Sequence, residues 1–237
     1  MTKKIIAVDL DGTLLNSESK LSDFTKETIK KISEKGHHVI ITTGRPYRMA
    51  KDFYRELELH TPMINFNGSL THLPGQAWAH EKCLTLDKKY LLDMVKRTED
   101  IQADFIAGEY RKKFYITTPN EEIADPKLFG VENFRPENQF KPERVTKDPN
   151  CILLQTRAED KYALADEMNR FYQHQLAINT WGGPLNILEC TPKGVNKAFA
   201  LEYLLNVMNR DKKDLIAFGD EHNDTEMLAF AGKGYAM

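Results

Sequence analysis

Cysteine is scarce. Cys83, Cys151 and Cys190 are the only three, an odd number and widely spaced. That excludes a disulfide framework and a cysteine-based metal knot, and it predicts reduced packing thiols in a cytoplasmic protein. No apolar run approaches the roughly 18 residues that cross a bilayer. Met1-Thr2-Lys3-Lys4 runs straight into Ile5-Ile6, without a signal-type apolar stretch. Charge of one sign is also missing. The chain has 33 Lys and Arg against 35 Asp and Glu, for a net charge of −2. Without a basic surplus or a like-charge block, neither nucleic acid nor an anionic membrane is an expected partner. Internal repeats and low-complexity tracts are absent too.

What remains suits a globular protein with a sizeable core. The chain has 237 residues, 41% hydrophobic and 29% charged, enough for one large domain or two small ones. Residues 1–82 alternate strand and helix. Lys4–Leu10 reads as a buried strand. A helix then starts at Ser22, places Ile29 and Ile32 on its apolar face and stops at Gly36. His38–Thr43 is a second strand. Pro46 opens a helix carrying Met49, Phe53 and Leu57 at helical spacing. Met63–Asn67 is a third strand. Such alternation predicts a parallel sheet with right-handed crossovers.

The pattern breaks over residues 83–184, which read as an inserted α/β domain. Helices are expected at Asp87–Thr98 and Glu159–His174. Short strands are expected at Asp104–Ala107, Lys113–Thr117, Cys151–Gln155 and Ala177–Thr180. Pro126, Pro136, Pro142 and Pro149 break up the stretch from Asn120 to Pro149, which reads as loop with short elements. Residues 185–237 return to the core, with strands at Leu185–Cys190 and Leu215–Phe218 and helices at Gly194–Met208 and Asn223–Ala231.

Chemistry-bearing residues gather at strand ends. Asp9 and Asp11 follow Ile5-Ile6-Ala7-Val8 and, two apart on an extended segment, point the same way. Gly12 then turns the chain and Thr13 offers a hydroxyl. Thr42-Thr43-Gly44-Arg45 ends the second strand and Asn67-Gly68 the third. Gly219-Asp220-Glu221-His222-Asn223-Asp224 follows Leu215–Phe218. Lys197 lies near the start of a helix. In a parallel sheet these ends share one edge, where open α/β sheets bind ligands. Carboxylates for a divalent cation, hydroxyls and cations for phosphate oxygens would meet there.

Asp9-Leu10-Asp11-Gly12-Thr13, Thr43-Gly44-Arg45, Lys197 and Gly219-Asp220 with Asn223-Asp224 resemble the four motifs of the haloacid dehalogenase superfamily. The insert resembles the cap of its Cof-type phosphatases, subfamily IIB. The resemblance covers nearly the whole chain and implies a doubly wound parallel-sheet core with an inserted α/β cap that closes over the cleft. It implies Mg²⁺-dependent hydrolysis of small phosphorylated metabolites, such as sugar, flavin or pyridoxal phosphates, through an aspartyl-phosphate. Asp9 would be the nucleophile and Asp11 the proton shuttle. Thr43, Gly44, Arg45, Asn67, Lys197 and Asn223 would bind phosphate or line the cleft. Asp9, the backbone carbonyl of Asp11, Asp220 and Asp224 would hold or support the metal. Family members usually run past Gly234-Tyr235-Ala236-Met237 with another strand and helix, so the resemblance implies a truncated C-terminus. Transfer within a sugar by a phosphosugar mutase and non-catalytic binding of a phosphometabolite are the alternatives. Either a monomer or a homodimer is compatible with the sequence.

Overall fold

The computed structural model describes residues 3–237. In chain order it opens with β1 (Ile5–Val8), α1 (Asp23–Glu34), β2 (His38–Ile41), α2 (Tyr47–Glu56), β3 (Met63–Asn65), β4 (Leu70–His72) and β5 (Lys82–Cys83). Next come α3 (Lys88–Lys96), β6 (Ala103–Tyr110), β7 (Lys113–Ile116), β8 (Cys151–Thr156), α4 (Lys161–Phe171), β9 (Leu176–Thr180) and β10 (Ile187–Pro192). The chain closes with α5 (Lys197–Val207), β11 (Leu215–Gly219), α6 (Thr225–Phe230) and β12 (Lys233–Ala236). Two compact units result: one joins the segment through Cys83 to Val195–Met237, and the other is Leu84–Gly194.

The first unit is built on a parallel sheet in the order β12-β11-β1-β2. Every residue of β1 is buried, because both faces of the sheet are covered. Ile6, Val8, Val39 and Ile41 pack with Ile29, Ala50 and Tyr54 from α1 and α2. Ile5, Ala7, Ile40, Leu215 and Ala217 pack on the other side with Ala200, Leu201, Leu204 and Met227 from α5 and α6. The period of two along each strand thus sorts side chains between two helical layers. Ser22 starts α1 as expected, its hydroxyl accepting the Thr25 N–H at 3.0 Å.

The third strand departs from expectation. Among the described residues, β3 joins the parallel sheet through the bridge between Thr42 and Ile64, then pairs antiparallel with β4, which pairs with β5. The chain reverses because Phe66, Asn67 and Gly68 all take positive φ, at 51°, 51° and 110°. Gly68 is required there. A Cβ would stand 2.4 Å from the Asn196 carbonyl oxygen.

The second unit is an antiparallel sheet, order β7-β6-β8-β10-β9. Leu91 and Met94 of α3, with Leu164 and Met168 of α4, share a core with Ile106, Ile152, Leu154, Leu188 and Cys190 from the sheet. Phe105 and Phe114 pack instead with Phe129 and Phe134, supplied by the proline-broken stretch. The short elements expected in that stretch are present, and one of them contributes to the core. Among its short turns, Pro126–Phe129 buries Phe129 in this aromatic cluster.

The strand expected to return to the core after residue 184 does not do so. β10 pairs Leu188 with Leu154 of β8 and with Thr180 of β9, so it is an inner strand of the second unit's sheet. Its short, mostly buried run would suit either sheet, and only the pairing decides. Burial pushes the Cys151 and Cys190 thiols well above their ordinary range. None of the three cysteines forms a disulfide, which fits packing roles.

Candidate active site

Asp9 caps the C-terminal end of β1. Its N–H donates to the Phe218 carbonyl at 3.1 Å, which ties the residue to β11 next door. The side chain is buried. Its Oδ1 accepts a hydrogen bond from Lys197 Nζ at 2.6 Å. The ammonium also reaches Asp224 Oδ1 at 2.7 Å, and Lys197 itself has no solvent exposure.

Lys197 is buried for a reason visible in its helix. It occupies the first position of α5, and Ala200, Leu201, Leu204 and Leu205 follow on the same buried face. The periodicity that sends those leucines inward sends the lysine inward too. A cation at a helix N-terminus opposes the helix dipole. The two carboxylates offset that cost.

Asp224 is wholly buried and well used. Its Oδ2 accepts the N–H groups of Asp220 at 3.2 Å and Glu221 at 3.3 Å. This folds the loop after β11 into a tight turn and presents Asp220. The Asp220 Oδ1 in turn accepts the Thr13 hydroxyl at 2.9 Å. Gly12 is needed beside it. Its φ is +70°, and a Cβ would lie 2.0 Å from Asp220 Oδ2. Gly12→Ala should therefore displace Asp220. The expected result is about a 10-fold rise in the divalent-cation concentration giving half-maximal activity, by analogy with mutations that misplace ligands. A metal titration of the variant against the parent checks it.

Asp9, Asp220 and Asp224 each bring a carboxylate oxygen within 4.8 Å of the other two. Burial raises the Asp9 carboxyl to about 6. Lys197 pulls it down and Asp224 pushes it up further. Three carboxylates, with Asp9 and Asp224 buried and Asp220 exposed, stand against one ammonium and leave surplus negative charge. An all-oxygen donor set of this kind fits a hard divalent cation.

The remaining sequence-predicted residues divide. Thr43 is buried, and its Oγ1 accepts the Arg45 N–H at 3.1 Å. Its own hydroxyl hydrogen is then available to a ligand. Asn223 Nδ2 donates to Asn67 Oδ1 at 3.0 Å, linking two of the expected clusters. A Cβ on Gly44 would sit 3.1 Å from Asn67 Oδ1, so these two loops pass close together. Arg45, expected to line the cleft for phosphate, grips the Asp11 carboxylate, with Nε 2.7 Å from Oδ2 and Nη2 2.5 Å from Oδ1.

Sequence reasoning misses Asn65 and His72. Asn65 Nδ2 donates to the Arg45 carbonyl at 2.8 Å, and its Oδ1 lies 2.9 Å from His72 Nε2. The available signal is a polar residue inside the apolar run Met63-Ile64-Asn65-Phe66.

This architecture has close counterparts. The haloacid dehalogenase-like hydrolase family matches residues 6–237. The 5-amino-6-(5-phospho-D-ribitylamino)uracil phosphatase YitU of Bacillus subtilis is 32% identical over 98% of this chain and 86% of its own length. Among solved structures, a haloacid dehalogenase-like hydrolase from Bacteroides thetaiotaomicron superposes with a TM-score of 0.86. It is 24% identical, over 100% of this chain and 88% of that one. A sugar phosphatase of haloacid dehalogenase subclass IIB superposes with a TM-score of 0.78 at 20% identity, covering 97% and 85%. The chain belongs to the haloacid dehalogenase-like hydrolases. Its fold is the α/β parallel-sheet core of that class with an inserted α/β unit of the subclass IIB kind.

Proposed function

We propose that this hydrolase is a Mg²⁺-dependent phosphatase that cleaves small phosphate monoesters through an aspartyl-phosphate on Asp9. One observation carries the reading. A buried carboxylate at the end of β1 is held by a buried lysine and flanked by two more carboxylates.

Lys197 fixes Asp9 Oδ1, and Oδ2 attacks phosphorus in line with the ester oxygen. As the phosphorus–oxygen ester bond breaks, Asp11 gives its proton to the departing alkoxide. Asp11 then takes a proton from the water that attacks the aspartyl-phosphate, which restores Asp9 and releases phosphate. The Thr43 hydroxyl donates to a phosphoryl oxygen, and Lys197 offsets the charge that collects there. Asp9, Asp220 and the Asp11 carbonyl, supported by Asp224, would hold Mg²⁺, which when bound would supply Lewis-acid neutralisation of phosphoryl charge.

The best candidate substrates are phosphorylated polyols and sugars. The relative YitU is named for a ribityl phosphate ester, which makes that chemistry the first to try. Among the described residues no helix is long and apolar enough to cross a membrane, and three cysteines without a disulfide support a reducing, cytoplasmic setting.

The test is phosphate release from a panel of phosphorylated metabolites, with Mg²⁺ and with EDTA. Mg²⁺-dependent release, strongest on polyol or sugar phosphates, is the expected result. Transfer of phosphate within a sugar without net release would overturn hydrolysis in favour of a mutase.

A further inference from the structure

We infer that Arg45 is a positioning residue for Asp11 and not a ligand of the substrate phosphate. The inference rests on the phosphatase reading above and assigns a task within the same site. Asp11 lies on an exposed stretch, its side chain 53% accessible, one residue before the left-handed Gly12. Such a side chain would otherwise sample several rotamers. Arg45 removes that freedom. Its Nε and Nη2 meet the two oxygens of Asp11 edge to edge, at 2.7 and 2.5 Å. This planar fork fixes the direction of a carboxylate as well as its place, which a lysine cannot do.

Arg45 is itself held from several sides. Its N–H donates to Thr43 Oγ1 at 3.1 Å. Its carbonyl accepts from Asn65 Nδ2 at 2.8 Å, and Asn65 is fully buried and backed by His72. The guanidinium also lies 5.6 Å from the centroid of the Phe53 ring. A chain of contacts therefore runs from β4 through β3 and the loop after β2 to the proton-shuttling carboxylate. The N–H groups along one flat edge of the guanidinium are spent on Asp11. A dedicated phosphate ligand would turn that edge to the anion.

The two roles predict different kinetics. A proton donor must lie within hydrogen-bond reach of the leaving oxygen, so a freely swinging Asp11 harms esters whose alcohol needs a proton. p-Nitrophenolate leaves without one. The experiment measures kcat/KM for ribose 5-phosphate and p-nitrophenyl phosphate, with Mg²⁺, in the parent, Arg45→Met and Arg45→Lys. Inhibition by inorganic phosphate is measured alongside.

Arg45→Met is expected to lose about 100-fold on the alkyl ester and less than about 10-fold on the aryl ester. Inhibition by phosphate should stay within about 3-fold of the parent, and Arg45→Lys should recover only part of the alkyl activity. Equal losses on both esters with weakened phosphate inhibition would make Arg45 a phosphate ligand and overturn the inference. Unchanged kinetics on both esters would overturn it too. A parent chain that releases phosphate from neither of these esters nor any member of the metabolite panel would remove the phosphatase reading, and this inference with it. Thermal melting of each variant separates these results from misfolding.

Discussion

Asp9→Asn is expected to cut turnover by about 10⁴-fold or more, because loss of a nucleophile disables the catalytic unit as a whole. Asparagine keeps the shape of Asp9 and can still accept from Lys197, so the loss should appear in activity and not in folding. Stability makes a sharper test. Burial raises the Asp9 carboxyl to about 6, while the unfolded chain titrates near the ordinary aspartate value. Between those two values the native state holds the proton more tightly than the unfolded state. Metal-free stability should therefore fall as pH rises through this window, by roughly 3 kcal/mol once Asp9 is fully ionised. The asparagine of the variant carries no such charge. Compared with the parent by thermal melting in EDTA, Asp9→Asn should gain stability steadily from about pH 4 to about pH 7. A constant difference across that range would mean that Asp9 titrates as an ordinary surface carboxylate. Retained turnover would refute the nucleophile assignment.

Lys197→Met should produce the largest loss of stability. Methionine fits the volume of the buried stem, but it leaves Asp9 and Asp224 facing each other without their shared cation. Removing one partner from a buried ionic cluster costs about 3–5 kcal/mol, since the remaining charges stay desolvated. For a chain of this size that is a drop of roughly 10 °C in Tm. Protonation relieves the repulsion, so the variant should regain stability in mild acid. Mg²⁺ should restore part of the Tm by neutralising the same carboxylates, yet turnover should remain low. A variant that melts with the parent in EDTA would show that the ammonium is not what balances the two acids.

The reach of the sequence differs from one element to the next. The run Ile5-Ile6-Ala7-Val8 ahead of Asp9 is plain because a strand covered on both faces is apolar throughout. Lys197 reads by itself as a solvated helix lysine and gains a role only through the family resemblance; its burial on one face with Leu201 and Leu204 is seen only in the fold. Other features depend on pairings that local pattern does not encode. Arg45 and Asp11 are 34 residues apart, and an arginine at a strand end reads equally well as a phosphate ligand. β10 is a short, mostly buried run that suits either sheet, and its place follows from its register with β8 and β9. The turn at Phe66-Asn67 uses left-handed backbone at two residues other than glycine, which composition does not announce. Lys161 opens α4 in a charged stretch, where a lysine is ordinarily solvated. Its ammonium instead gathers the carbonyls of Trp181, Gly183 and Leu185, at 2.9, 3.2 and 2.8 Å, an arrangement made only by tertiary folding.

The chain order of the two units bears on how the protein is made. Asp9 and Lys197 are separated by 188 residues, and β1 pairs with β11 along its whole length. During synthesis the ribosome releases β1 and β2 early, while the strand that covers the other edge of β1 is still hundreds of bases away on the message. The second unit, continuous in sequence, can complete its own sheet in that interval. Until α5 and β11 emerge, the first unit carries an open apolar edge and an unneutralised Asp9. Late maturation of the catalytic centre, with a waiting edge that chaperones would shield, is a consequence of threading one unit into the middle of another.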